Sequence, residues 1–170
     1  MAQNKIDSNF FPIGEVEKLA KEVLVTQGYH KPQMLIMKDK KLAIVLLNFD
    51  SRETMNETFK EIRSMFVNMK PDFYYYIHEG WMKVFKLEKG EKPNMNIPPS
   101  QCPDRIEVLS ILRFDKDGNQ EFVHIEFTHD GDKIVLGKRI HGNKPDTMNA
   151  RMNFYLEDAF DEKMKRYAND

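Results

Sequence analysis

The chain has 170 residues, a length that predicts a single domain over 1–170, with a core over about 12–140 and a helical extension over about 146–168. Its 26 basic and 27 acidic residues leave a formal charge of −1, which excludes bulk attraction to nucleic acid or to an anionic membrane. A hydrophobic content of 41% is enough for a packed core, one cysteine excludes an internal disulfide framework, and no apolar run reaches the roughly 18 residues of a spanning helix.

The polar start, Met1 to Asn9, lacks a signal-peptide core, so the expected class is a soluble, cytoplasmic α+β domain. Ile13, Val16, Leu19, Ala20, Val23 and Leu24 recur at helical spacing, which predicts an amphipathic helix over 12–28 ended by Gly28. Met34–Met37 and Leu42–Leu47 flank the charged tip Lys38-Asp39-Lys40-Lys41, the pattern of a hairpin. Because Leu42–Leu47 is apolar without a break, its strand is expected to be buried on both faces. A second helix over 51–69 carries Met55, Phe59, Ile62, Phe66 and Met69 on one stripe, which is expected to pack on a sheet. Asp50 and Glu53 resemble a capping box at its start, and Pro71 stops it. An aromatic strand follows from Asp72 to about Lys86, with Gly80 as a bulge. Leu87 to Pro103 is a loop long enough to be either functional or disordered, since connections beyond about 12–15 residues usually are one or the other.

Asp117-Gly118 between alternating runs predicts a two-residue hairpin turn, and Asp130-Gly131 predicts a second, which together make a three-stranded antiparallel meander. The first turn sets Val108 opposite Phe127 and Leu112 opposite Val123, so Ile106, Val108, Leu112 and Phe114 share a core face with Val123, Ile125 and Phe127. The second sets Ile134 opposite Phe127 and Leu136 opposite Ile125. The helix over 51–69 is expected on the face carrying Val108, Leu112, Ile125 and Leu136. A last helix, capped by Asp146 or Thr147, carries a stripe of Met148, Met152, Tyr155, Leu156, Phe160, Met164 and Tyr167. Such a stripe serves either packing on the sheet or pairing with another subunit. The fold expected is α+β: a mainly antiparallel sheet in hairpin–helix–meander order, packed by helices, plus the C-terminal helix.

On the other face of that meander, Glu107 and Glu126 become diagonal neighbours roughly 7–8 Å apart, with His124 opposite the bare Gly137. Two carboxylates and an imidazole suit a divalent ion or acid–base work, whereas cross-strand pairing of Glu126 with Lys133 is the simpler reading. His78-Glu79-Gly80-Trp81 is a second constellation, its glycine permitting close approach of a ligand, although half-buried strands commonly carry such residues. Cys102, in Pro98-Pro99-Ser100-Gln101-Cys102-Pro103, has Arg105 nearby but no histidine placed to activate it, so a lid or interface loop is preferred to a nucleophile. Pro103-Asp104 invites a nuclease reading, but no acid-x-Lys follows on the next strand, and that reading fails. Phosphate-cradling loops, a Gly-x-Ser-x-Gly elbow and a His-x-x-x-His pair are absent.

One arrangement is similar to a loose family of small uncharacterised microbial and phage proteins, over roughly 13–140. Gly28-Tyr29-His30-Lys31-Pro32-Gln33-Met34 opens a strand, Glu79 and Trp81 form a Glu-x-Trp, and Pro99, Ser100, Pro103, Asp104, Arg105 and Glu107 spell Pro-Ser-x-x-Pro-Asp-Arg-x-Glu. The resemblance implies no activity, but it draws interest to His30, Glu79, Trp81, Arg105 and Glu107. A lysine-rich, alanine-poor composition, associated with AT-rich genomes and many phages, is in keeping with it. The leading expectation is a non-enzymatic binding or assembly module, homo-oligomeric or with a protein partner, without cofactor, membrane or nucleic acid. The alternative is a metal-assisted hydrolase or nuclease using Glu107, His124, Glu126 and Glu79.

Overall fold

Among the described residues the main apolar runs become helices and strands, and the way they stack decides which side chains meet. The structure, a computed structural model, describes residues 10–86, 88–92 and 96–143; the expected last helix, 146–168, lies outside them. The elements are α1 (Ile13–Gln27), β1 (Gln33–Lys38), β2 (Lys41–Leu46), α2 (Arg52–Met69), β3 (Phe73–Met82), β4 (Ile106–Asp115), β5 (Gln120–Asp130) and β6 (Lys133–Asn143). A short 3-10 turn, Pro99–Gln101, sits between β3 and β4. The strands form one six-stranded antiparallel sheet in the order β2-β1-β3-β4-β5-β6, so the fold is α+β.

α1 ends where Gly28 takes φ 79° and returns its N–H to the Leu24 carbonyl at 2.8 Å, the left-handed C-cap expected of glycine. Asp39 and Lys40 form the β1–β2 tip, both at positive φ as the tight hairpin turn requires. The buried Asp72 carboxylate holds that tip, accepting the Asp39 amide at 2.9 Å and Lys116 Nζ at 3.0 Å. α2 starts differently from expectation. Ser51, not Asp50, is the N-cap: its hydroxyl accepts from Thr54 N while the Thr54 hydroxyl accepts from Ser51 N, a Ser/Thr box in place of Asp50/Glu53.

The two helices lie on opposite faces of the sheet. α1 packs Val16, Ala20 and Leu24 on Leu35, Tyr75, Ile77, Leu109, Ile111, Val123, Ile125 and Phe127. α2 packs Phe59, Ile62 and Phe66 on Met34, Ile36, Tyr74, Tyr76, Leu112 and Phe114. With both faces covered, the inner strands β1, β3 and β4 are apolar at consecutive positions. β2, by contrast, is an edge strand. Ala43 and Val45 pack toward α2, but Leu42, Ile44 and Leu46 remain 45%, 61% and 65% exposed, so the expectation of a strand buried on both faces is overturned. Its hairpin partner β1 is buried on both faces instead.

The meander forms with a different register. Asp115 stays in β4, and its carboxylate accepts the amides of Asp117 and Asn119 at 2.9 Å each. The loop is therefore three residues, Lys116 to Gly118, with Gly118 at φ 84°. This sets Leu109 opposite Ile125 and Ile111 opposite Val123, one residue away from expectation. A one-residue slip exchanges the faces. Val123, Ile125 and Phe127 thus lie under α1 with Leu109 and Ile111, while Leu112 and Phe114 lie under α2. The expectation that α2 covers Leu112 together with Ile125 and Leu136 holds only for the Leu112 side. The second turn is Gly131-Asp132, pairing Asp130 with Lys133 and Phe127 with Leu136. β3 runs regularly through Gly80, which pairs with Val108; the bulge lies instead between Ile125 and Phe127, against β6.

Candidate functional site

Beyond the reach of α2, β3 changes from Tyr74-Tyr75-Tyr76-Ile77 to His78-Glu79-Gly80-Trp81, and alternation sends these polar side chains to opposite faces. On the α2 side, His78, Ser110 and His124 form one cross-strand row, ending at Ile140 on β6. Ser110 is buried, and its Oγ lies 2.9 Å from His124 Nδ1. His78 donates from Nδ1 to the Glu79 carbonyl at 2.9 Å and stacks on Tyr76 at 4.6 Å. Burial holds both imidazoles below their usual range; for His78 the Glu79 carbonyl pulls the other way while His30 adds to the drop, and for His124 the neighbouring His78 does so. Burial thus favours the uncharged form of both rings, His124 hydrogen-bonded to Ser110 and His78 to the Glu79 carbonyl.

On the α1 side, Glu79, Trp81 and Glu107 gather at the same end of the sheet, with Trp81 directly opposite Glu107. The Arg105 guanidinium stacks over Trp81 at 4.4 Å and donates to the Ser100 carbonyl at 2.7 Å, which ties the 3-10 turn to the strand. His129 Nε2 lies 3.6 Å from Glu107 Oε2. The backbone N–H of His30 donates to Glu79 Oε1, and the buried His30 ring donates from Nδ1 to the Lys31 carbonyl at 2.9 Å. Burial pushes the Glu79 carboxyl up, with Glu107 adding to the rise and the His30 amide and His129 opposing it. Burial likewise lowers His30 against the pull of the Lys31 carbonyl.

The structure thus brings His30, Glu79, Trp81, Arg105 and Glu107 together, and adds His129, which sequence reasoning missed. It separates them from His124 and Glu126, which lie across the sheet. Glu107 has the parity of Leu109 and Ile111, whereas His124 and Glu126 have that of Ser110 and Val108. The expected diagonal contact of Glu107 with Glu126 does not form. His124 faces Ile140 rather than Gly137, and it is Glu126 whose Cβ lies 3.3 Å from where a side chain on Gly137 would begin. Lys133 pairs with Asp130, so it is not the neighbour of Glu126 either. Among the described residues, no group of three or more His, Cys, Asp or Glu side chains is placed to hold a metal ion. The hydrolase constellation of Glu107, His124, Glu126 and Glu79 therefore lacks the convergence it needs. Cys102 is buried and donates from Sγ to the Pro98 carbonyl at 3.6 Å, a packing role in the loop.

The Ser110–His124 contact was also missed, because the pairing that creates it depends on the register of the hairpin. It uses Nδ1 of the ring, and Ser110 is too buried to meet a substrate, so the contact satisfies two polar groups inside the sheet.

The surface that stands out is elsewhere. Leu42, Ile44 and Leu46 form an exposed apolar stripe on β2, on the α1 side of the sheet but outside the core that α1 covers. No family model matches this chain, and neither a curated protein nor a solved structure matches it. Within the described residues, no helix is long and apolar enough to cross a membrane.

Proposed function

We propose that the chain is a non-enzymatic binding or assembly module that works through a protein surface and self-associates. The observation that carries this reading is the exposure of Leu42, Ile44 and Leu46 along one edge strand. Three aliphatic side chains exposed in a row on a sheet edge are a natural place for proteins to meet. A viral or microbial origin and a cytoplasmic location belong to the same proposal, supported by the resemblance to phage proteins and by the lysine-rich, alanine-poor composition. The polar end of the sheet, with Glu79, Glu107 and His129, serves in this reading to hold loop and strand ends in position. Sedimentation of the full chain across a concentration series tests the proposal. The expected mass rises above the 20.1 kDa of one chain as concentration increases. A mass that stays at 20.1 kDa throughout would remove self-association from the reading.

A further inference from the structure

Resting on that reading, we infer that β2 is the interface and that its occupant is β2 of a second copy, paired antiparallel so that two six-stranded sheets become one. A sheet edge presents a row of unpaired backbone N–H and C=O groups, and proteins ordinarily blunt such edges with bulges, prolines or charges, while glycines weaken the strand itself. The two edges of this sheet are treated differently. β6 carries Lys133, Lys138 and Arg139, contains Gly137 and Gly142, and is bulged against β5. β2 pairs with β1 without interruption and reads Leu-Ala-Ile-Val-Leu after its single Lys41.

The ends of β2 also complement each other when the strand meets itself head to tail. The tip before it holds Lys38, Lys40 and Lys41 against Asp39, while the segment after it holds Asp50 and Glu53 against Arg52. An antiparallel pairing centred on Val45 sets Lys40 opposite Asp50 of the second copy and Ile44 opposite its Leu46. That alignment keeps the two apolar stripes on one side of the joined sheet. The operation is a two-fold and closes on itself, and the blunted β6 edges stop further growth, so the assembly ends at two chains.

The test is sedimentation of the full chain and of an Ile44→Lys variant, with amide hydrogen exchange on the unmutated protein at low and high concentration. Expected are a two-chain species and β2 amides whose exchange slows as concentration rises. Ile44→Lys should weaken association by about tenfold or more. Lys40→Asp should weaken it too, and adding Asp50→Lys should recover part of the loss. A two-chain species indifferent to Ile44→Lys, with β2 exchange independent of concentration, overturns the strand pairing and leaves the assembly reading standing. A single-chain mass at every concentration overturns both. Because the exchange measurement uses the unmutated chain, misfolding of a variant does not obscure the outcome.

Discussion

Asp72 shows how one buried carboxylate organises its surroundings. It sits at the start of β3, 5% exposed, and gathers the β1–β2 tip and the β4–β5 loop through Asp39 N, Lys38 and Lys116. Burial alone would push its carboxyl up, but the Asp39 amide and the Lys116 ammonium outweigh it and hold the carboxyl below the usual range. A carboxyl depressed in the folded state adds stability that is fully present above its unfolded value, near 3.9, and is lost as pH falls through the folded value. Asp72→Asn is therefore expected to cost roughly 2 kcal/mol at neutral pH, because the Lys116 and Lys38 contacts lose their charge partner. Urea unfolding from pH 7 to pH 2.5 checks this: the gap between wild type and variant should close below about pH 4. Asp72 was legible only as the beginning of an aromatic strand, since its partners lie 33 and 44 residues away.

At the scale of elements, local chemistry settled the kind of each piece but not always its detail. The α2 stripe of Phe59, Ile62 and Phe66 is buried as its spacing predicts, while Met55, Met65 and Met69 are partly buried at its margin. The sequence places its cap one residue early because Asp50-Ser51 offers two good caps in succession. Only the backbone path, with Ser51 extended at φ −142°, selects the second. Ser51→Ala is expected to cost about 1 kcal/mol in chemical denaturation, against a few tenths for Asp50→Ala. Equal costs would return the cap to Asp50. The β4–β5 loop has a similar origin. Asp-Gly serves a two-residue turn and also a three-residue turn with glycine in the left-handed position, and the carboxylate of Asp115 stabilises the longer one here.

At the scale of the molecule, the two helices clamp the sheet from opposite sides, and α1 is tied to the far edge by one ion pair. Arg139 Nε reaches both carboxylate oxygens of Glu17, at 2.9 and 3.0 Å, and Nη2 adds a third contact at 2.9 Å. The Arg139 contacts lower the Glu17 carboxyl first, burial opposes them, and Lys21 assists. Because Arg139 is itself half-exposed, Glu17→Ala is expected to cost only about 1–2 kcal/mol, and Lys21→Ala a few tenths. Thermal unfolding of the two variants distinguishes them. A Glu17 effect no larger than that of Lys21 would mean that apolar packing alone seats α1. The clamp also leaves the β2 edge bare: the core under α1 runs from β1 to β6 and does not include Leu42, Ile44 and Leu46, which remain exposed.

What the sequence by itself determined is what short-range physics can specify. Helical spacing and Gly28 placed α1, apolar runs and turn residues placed the β1–β2 hairpin and the meander, and the Met/Phe stripe marked α2 as a packing helix. The gathering of His30, Glu79, Trp81, Arg105 and Glu107 followed strings that stand out in the chain, although nothing in the strings said that they would meet. Strand order and register were left to the tertiary structure. β4 carries apolar residues on both faces, with Val108, Leu112 and Phe114 toward one and Leu109 and Ile111 toward the other. Either register therefore buries a hydrophobic set, and alternation cannot choose between them. For the same reason Leu42–Leu47 reads as an inner strand when it is an edge: an apolar run reports affinity for cover, and only the arrangement of the whole sheet decides whether the chain's own helices supply it.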